Sequence, residues 1–136
     1  VSRGLGDVYK RQDQSFAKKF GFEVVDTTPN GYELLAFTFD GTTPRFAPNA
    51  KAETIENNEL TVYYDMQCPY ILQNIEMLKQ YCEVNSVPLS LVPVDTLQKA
   101  KELPCVFNNW AVFYKGKFET VNLLLDPNNL KRILKK

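Results

Sequence analysis

Histidine is absent from this 136-residue chain. Its absence removes the usual Ser-His-Asp and Cys-His catalytic arrangements, and every metal site that needs imidazole. Net charge is absent as well: sixteen Lys and Arg balance sixteen Asp and Glu. The sequence therefore shows no electrostatic footprint for nucleic acid or an anionic membrane. No apolar run approaches the roughly 20 residues of a membrane-spanning helix, and no signal peptide is legible. Cysteine is scarce, three in all, without a Cys-x-x-Cys pair to begin a zinc site or the spacing of a disulfide scaffold. That usage favours a reducing cytosol, and no metal is expected. What is present is 44% hydrophobic residues, enough for a core. The length suits one ordinary domain, or a small domain plus part of another.

Along the chain, residues 1–12 carry no initiating Met and no apolar periodicity, and they read as a non-native leader set outside the fold. Gly4 and Gly6 form no phosphate loop, because no strand is expected before them. Residues 13–39 read as a helix end and a hairpin. Ser15 to Phe20 is a short helix stopped by Gly21 as a C′ glycine, Phe22 to Val25 is a strand, and Thr27 to Gly31 is a turn. Tyr32 to Phe37 is the second strand. Two strands and one helical turn bury too little to stand alone, so this stretch is expected to be the tail of a larger domain. Residues 40–58, with Gly41, Pro44 and Pro48 and little periodicity, read as a linker.

Residues 59–136 follow a β-α-β-α-β-β-α order. Leu60 to Tyr64 is a strand, and a helix is expected from Pro69 to about Val84, with Ile71, Ile75, Leu78 and Cys82 on one face. Leu89 to Val92 is the next strand. Asp95-Thr96 offer an N-cap for a short helix ending at Glu102. Trp110 to Tyr114 and Lys117 to Val121 form a hairpin turning at Lys115-Gly116. Asp126-Pro127 opens the last helix, with Leu130, Ile133 and Leu134 inward; its Lys131, Arg132, Lys135 and Lys136 read as a solvated face. The first two strands should be parallel, joined by the first helix. The last helix is expected on the opposite sheet face from the first.

Cys68-Pro69-Tyr70 sits where the first strand gives way to the first helix of this domain. Helix-start N–H groups lack intrahelical partners and the dipole adds positive charge, so a thiolate there is stabilised. Pro69 suits the first helical position because its missing N–H would be orphaned anyway. Two readings stand side by side, a reactive thiol and a cysteine that merely packs. Ile71 occupies the place where a dithiol motif has its second cysteine. Cys82, on the inward helix face, reads as core.

The element order, the Cys-Pro position and the hairpin together resemble a thioredoxin-like fold. More specifically, Cys68-Pro69-Tyr70, Leu103 to Phe107 and Val112 to Phe118 resemble the YoaP-like domain that follows a GNAT-family acetyltransferase domain in some bacterial proteins. Phe16 to Asp26, with Tyr32 to Leu35, resembles the last helix and strands of GNAT-family N-acetyltransferases, covering about the last fifth of such a domain. The fold class implied is α/β, a thioredoxin-like domain preceded by a partial GNAT-type helix and hairpin remnant. The function implied is that of a C-terminal fragment of an N-acetyltransferase. The intact parent would use acetyl-CoA and act on an amine or thiol small molecule, and the fragment would hold no cofactor. Ala17 falls where that family usually carries a tyrosine general acid, so that role is not carried over.

In a thioredoxin-like fold the loop before the hairpin approaches the helix-starting cysteine. On that basis Cys68 and Cys105 are candidate partners, as a redox pair or a thiol site, with Asn108 near the position of that fold's cis-proline. Pro69, Tyr70, Pro104 and Trp110 are candidate substrate contacts beside them, Tyr70 and Trp110 as walls of a shallow groove. The competing readings are two cysteines that only pack, and a non-catalytic interaction module.

Overall fold

The computed structural model describes residues 15–136 and the backbone of 4–10. Among them are two β-sheets and four α-helices. The chain separates into two compact units, residues 1–51 and 52–136.

In the first unit, β1 (Gly4–Lys10), β2 (Glu23–Thr27) and β3 (Tyr32–Thr38) form an antiparallel sheet in the order β1-β3-β2. Residues 4–10 of the expected leader form an edge strand of the sheet, and its residues 1–3, 11 and 12 lie outside the described ones. Backbone pairing needs no particular side chains, so a segment without apolar periodicity still joins a sheet edge. Helix α1 (Ser15–Lys19) ends as expected at Gly21, whose φ is +87°. Gly21 N–H donates to Lys18 O at 3.1 Å and Phe22 N–H to Ala17 O at 3.3 Å, the two bonds of a Schellman cap. Any Cβ on Gly21 would stand 2.9 Å from the Phe37 ring. Between Val24 and Asp26 the β2–β3 register shifts, as at a β-bulge.

Residues 40–58 do not form a continuous linker. Asp26 accepts N–H bonds from Thr27 at 2.9 Å and Phe46 at 2.8 Å, and pairs with Lys51 Nζ at 2.6 Å, which ties 46–51 to the first unit. The Lys51 hydrogen bond is the largest influence holding the Asp26 carboxyl below its ordinary value, and the two N–H bonds add to it. A depressed carboxyl contributes stability above its unfolded pKa of 3.8, and that contribution is lost as pH falls through the lower folded value. Accordingly, Asp26→Asn should lower hydrogen-exchange protection at Phe46 at neutral pH, and the unaltered chain should lose the same protection on acidification. Equal protection in both chains at pH 7 would show that the clasp is idle.

On the other side of the division, 53–58 belongs to the second unit. Glu53 N–H donates to Pro104 O at 2.7 Å, Phe118 N–H to Glu53 O at 2.9 Å and Ile55 N–H to Gly116 O at 2.9 Å. Composition showed the prolines and glycine of this stretch but not these partners.

The second unit holds β4 (Leu60–Tyr64), α2 (Tyr70–Val84), β5 (Leu89–Pro93), α3 (Leu97–Glu102), β6 (Trp110–Tyr114), β7 (Lys117–Thr120) and α4 (Pro127–Leu134). Its sheet runs β5-β4-β6-β7, with β4 parallel to β5 and the other neighbours antiparallel. The hairpin turns at Lys115 (φ +50°) and Gly116 (φ +77°), two left-handed residues as a type I′ turn demands.

One face of this sheet carries Leu60 and Val62 of β4 with Trp110 and Val112 of β6. They form a single buried cluster with Ile71, Ile75, Leu78 and Cys82 of α2 and with Leu130 and Ile133 of α4. Both long helices therefore cover the same face, which corrects the expectation that α4 covers the other. An apolar stripe tells a helix to bury a side but does not say against which face of a sheet. Asn74, an inward residue that the apolar stripe missed, is fully buried on α2 and accepts Leu124 N–H at 2.9 Å. This bond fastens the segment before α4 to α2.

The alternating residues face the other way, as a two-residue strand period requires. Tyr63 meets Phe113 edge-on at 5.6 Å between ring centroids, and Phe113 meets Phe118 at 5.5 Å. Leu103, Cys105 and Val106 are buried but stand apart from the helix-covered cluster.

Candidate functional site

The C-terminal end of β4 leads directly to the candidate cysteine. After Tyr64 the chain turns through Asp65, whose Oδ1 accepts Gln67 N–H at 3.0 Å. Cys68 follows, and its carbonyl accepts Ile71 N–H at 3.1 Å. Helix α2 then starts at Tyr70 with Pro69 as N-cap (φ −64°), and no side chain caps it. The start is one residue later than the sequence indicated. The uncapped helix N-terminus thus stands beside a half-buried free thiol. Asp65 N–H donates to Asn109 O at 3.1 Å. The backbone that approaches this loop from before β6 is therefore at Asn109, rather than at Leu103-Pro104-Cys105 as expected.

The candidate residues fall into two groups. Cys68 packs against the α2–α4 cluster that contains Trp110. Cys105 is buried outside that cluster, next to Pro104, whose carbonyl accepts Glu53 N–H, and Glu53 O in turn accepts from Phe118, a residue that packs with Phe113 on the other face. All three cysteines are free thiols. Burial, with the Glu53 carboxylate adding to it, pushes the Cys105 thiol up to about 12, far from a nucleophile at neutral pH. Burial also pushes the Cys82 thiol up, in keeping with its core reading. Because β4 alternates, Tyr64 joins Cys68 against the helix-covered cluster while Tyr63 meets Phe113 on the other face, away from it.

Trp110 is fully buried, so its ring has no surface to offer as a groove wall, and its indole Nε1 has no hydrogen-bond partner. Tyr70 is 58% exposed. Pro104 is half-buried and trans, since no described peptide bond is cis. It lines a cavity with Tyr63. No group of three or more His, Cys, Asp or Glu among the described residues is placed to hold a metal ion. No described helix is long and apolar enough to cross a membrane.

The sequence passed over Tyr63, Lys99 and Glu102, which line the same cavity as Pro104. No motif marks them.

Comparisons with known proteins add relatives to this geometry. A family model described as YoaP-like matches residues 88–132. That span includes Pro104, Cys105 and Trp110 and leaves Cys68-Pro69-Tyr70 outside. The chain is also 26% identical over 124 residues to the "Uncharacterized N-acetyltransferase YoaP" of Bacillus subtilis (strain 168). The alignment covers 90% of this chain and 49% of that protein, so the chain spans about half the length of its curated relative. No solved structure matches it.

Proposed function

We propose that this chain is the C-terminal part of a GNAT-type N-acetyltransferase, in which the first unit ends the catalytic domain and the second is a thioredoxin-like accessory domain carrying Cys68. The observation that carries the reading is the match to the N-acetyltransferase relative. At 124 aligned residues it must run through both units, yet it accounts for only 49% of the relative. Further support comes from apolar surface on the first unit. Phe16 is 68% exposed, Phe20 64% and Phe39 68%, on a unit whose described elements are three strands, one five-residue helix and a short 3-10 turn at Pro48–Lys51. So small an assembly needs more core than it has, and the rest of a catalytic domain would cover those rings. The thioredoxin-like reading of the second unit is supported by its β5-β4-β6-β7 order, by two helices on one face, and by a cysteine just ahead of the helix after the first strand.

The residues described here do not fit acetyl-CoA. Its pyrophosphate calls for backbone N–H groups of a glycine-rich turn opening a helix. The described glycines with positive φ, namely Gly21, Gly31, Gly41 and Gly116, open no helix. Ala17 is buried and has no proton to give. Acetyl transfer to an amine therefore belongs to the intact parent, and no step of it is assigned to these residues. A role for Cys68 as a lone mixed-disulfide thiol is the second reading, favoured by its half-buried free thiol at an uncapped helix start.

Calorimetry tests the proposal. The 136-residue chain should not bind acetyl-CoA at micromolar concentration. The parent with its upstream sequence should bind it, and should release CoA thiol when offered amines. Micromolar binding by this chain, or a parent that neither binds acetyl-CoA nor releases thiol, would overturn it.

A further inference from the structure

Beneath α3 the packing is incomplete. This six-residue helix buries none of its side chains, and its apolar Leu97 is 71% exposed. Thr96 caps it by accepting Lys99 N–H at 3.1 Å. A cavity of about 340 Å³ lies here, lined by residues of α3, the end of β5, Tyr63 of β4 and the Leu103-Pro104 segment. That volume lies within the range of small-molecule sites, roughly 300–1,000 Å³.

Its lining has two characters. Pro93, Leu103 and Pro104 supply rigid apolar walls, beside the half-buried ring of Tyr63. Lys99 and Glu102 supply one charge of each sign, three positions apart on the helix, which places them on the same side of it. Their present partners are weak competitors. Lys99 Nζ meets Asp95 at 2.7 Å with both side chains more than half exposed, and exposed pairs of this kind contribute little. Glu102 accepts Gln98 Nε2 on Oε1 at 2.7 Å, which leaves Oε2 for another donor.

We infer that this cavity binds a free α-amino acid with an aromatic or branched side chain. The ligand carboxylate would meet Lys99, its ammonium would meet Glu102, and its side chain would lie against the prolines and the Tyr63 ring. A purely apolar molecule would use neither charge, and a singly charged one would meet a like charge beside its partner. The zwitterion matches both. All the lining residues except Tyr63 fall within the 88–132 stretch that the YoaP-like model matches. The inference does not depend on acetyl transfer.

The test is titration of the whole 136-residue chain with L-phenylalanine and L-leucine by calorimetry, with phenylacetate and 2-phenylethylamine as single-charge controls. Saturable binding of at least one amino acid is expected, weakened roughly tenfold or more in Glu102→Gln and in Lys99→Gln. Each control should bind at least tenfold more weakly than L-phenylalanine or L-leucine, whichever binds more tightly. Both substitutions are at exposed positions, so circular dichroism should show intact folding. The inference is overturned if neither amino acid binds saturably, if either substitution leaves binding unchanged, or if a control binds as well.

Discussion

Trp110→Ala is expected to destabilise the second unit by about 3–5 kcal/mol, the range for removing a buried large aromatic side chain. The ring has no solvent exposure and lies in one cluster with residues of α2 and α4. Its loss would leave a void beneath both helices, and a close-packed interior relaxes only partly around such a void. Trp110→Phe should cost less. It keeps an aromatic ring and removes an indole N–H that has no acceptor in the buried state, a group whose desolvation is uncompensated. Because Trp110 is the only tryptophan, urea unfolding should be followed by far-ultraviolet circular dichroism. A loss below about 1 kcal/mol in the alanine variant would mean that the cluster closes over the gap, contrary to the close-packing argument.

Cys105 should be almost inert to alkylation at pH 8 while Cys68 reacts. With its thiol pushed up to about 12, roughly one Cys105 in ten thousand would be thiolate at that pH, and burial restricts access further. Mass mapping after brief iodoacetamide treatment should find label at Cys68 and little at Cys82 or Cys105. After mild oxidation a Cys68–Cys105 cross-link should be absent, because the sheet separates the two residues. Dominant labelling of Cys105, or that cross-link in good yield, would restore the paired-thiol reading. The same residue sets a pH dependence. Its folded value lies above the unfolded value near 9, so its contribution to stability is whole below pH 9. Above that, the contribution falls as pH rises towards about 12, by at most about 1.4 kcal/mol per pH unit. Cys105→Ala should flatten that decline.

Much of the local structure was legible because its causes are local. Gly21 stopped α1, Thr96 and Asp126 capped α3 and α4, and Lys115-Gly116 turned the hairpin. Each depends on a few neighbouring residues and their allowed dihedrals. The inward face of α2 was legible as an apolar stripe, with Asn74 missed because an amide breaks the pattern until its partner, Leu124 N–H, is known. The site was legible only in part. Cys68 stands just ahead of the helix start, and the backbone bonded to its loop is that of Asn109, a few residues past the expected Leu103-Pro104-Cys105. The cavity under α3 left no sequence mark, since Tyr63, Lys99 and Glu102 come from separate elements and make no motif.

The sequence by itself determined the order of elements in the second unit, the position of Cys68 at the start of α2, and the lack of histidine that bars imidazole chemistry. These follow from residue types and short spacings. Tertiary structure alone decided which sheet face each helix covers, that Cys68 and Cys105 lie on opposite faces, and that 40–58 divides between two units. Those outcomes rest on strand alternation and on backbone partners far away in the chain. A one-residue step along β4, from Tyr64 to Tyr63, changes which face of the sheet a side chain joins, and composition cannot register that step.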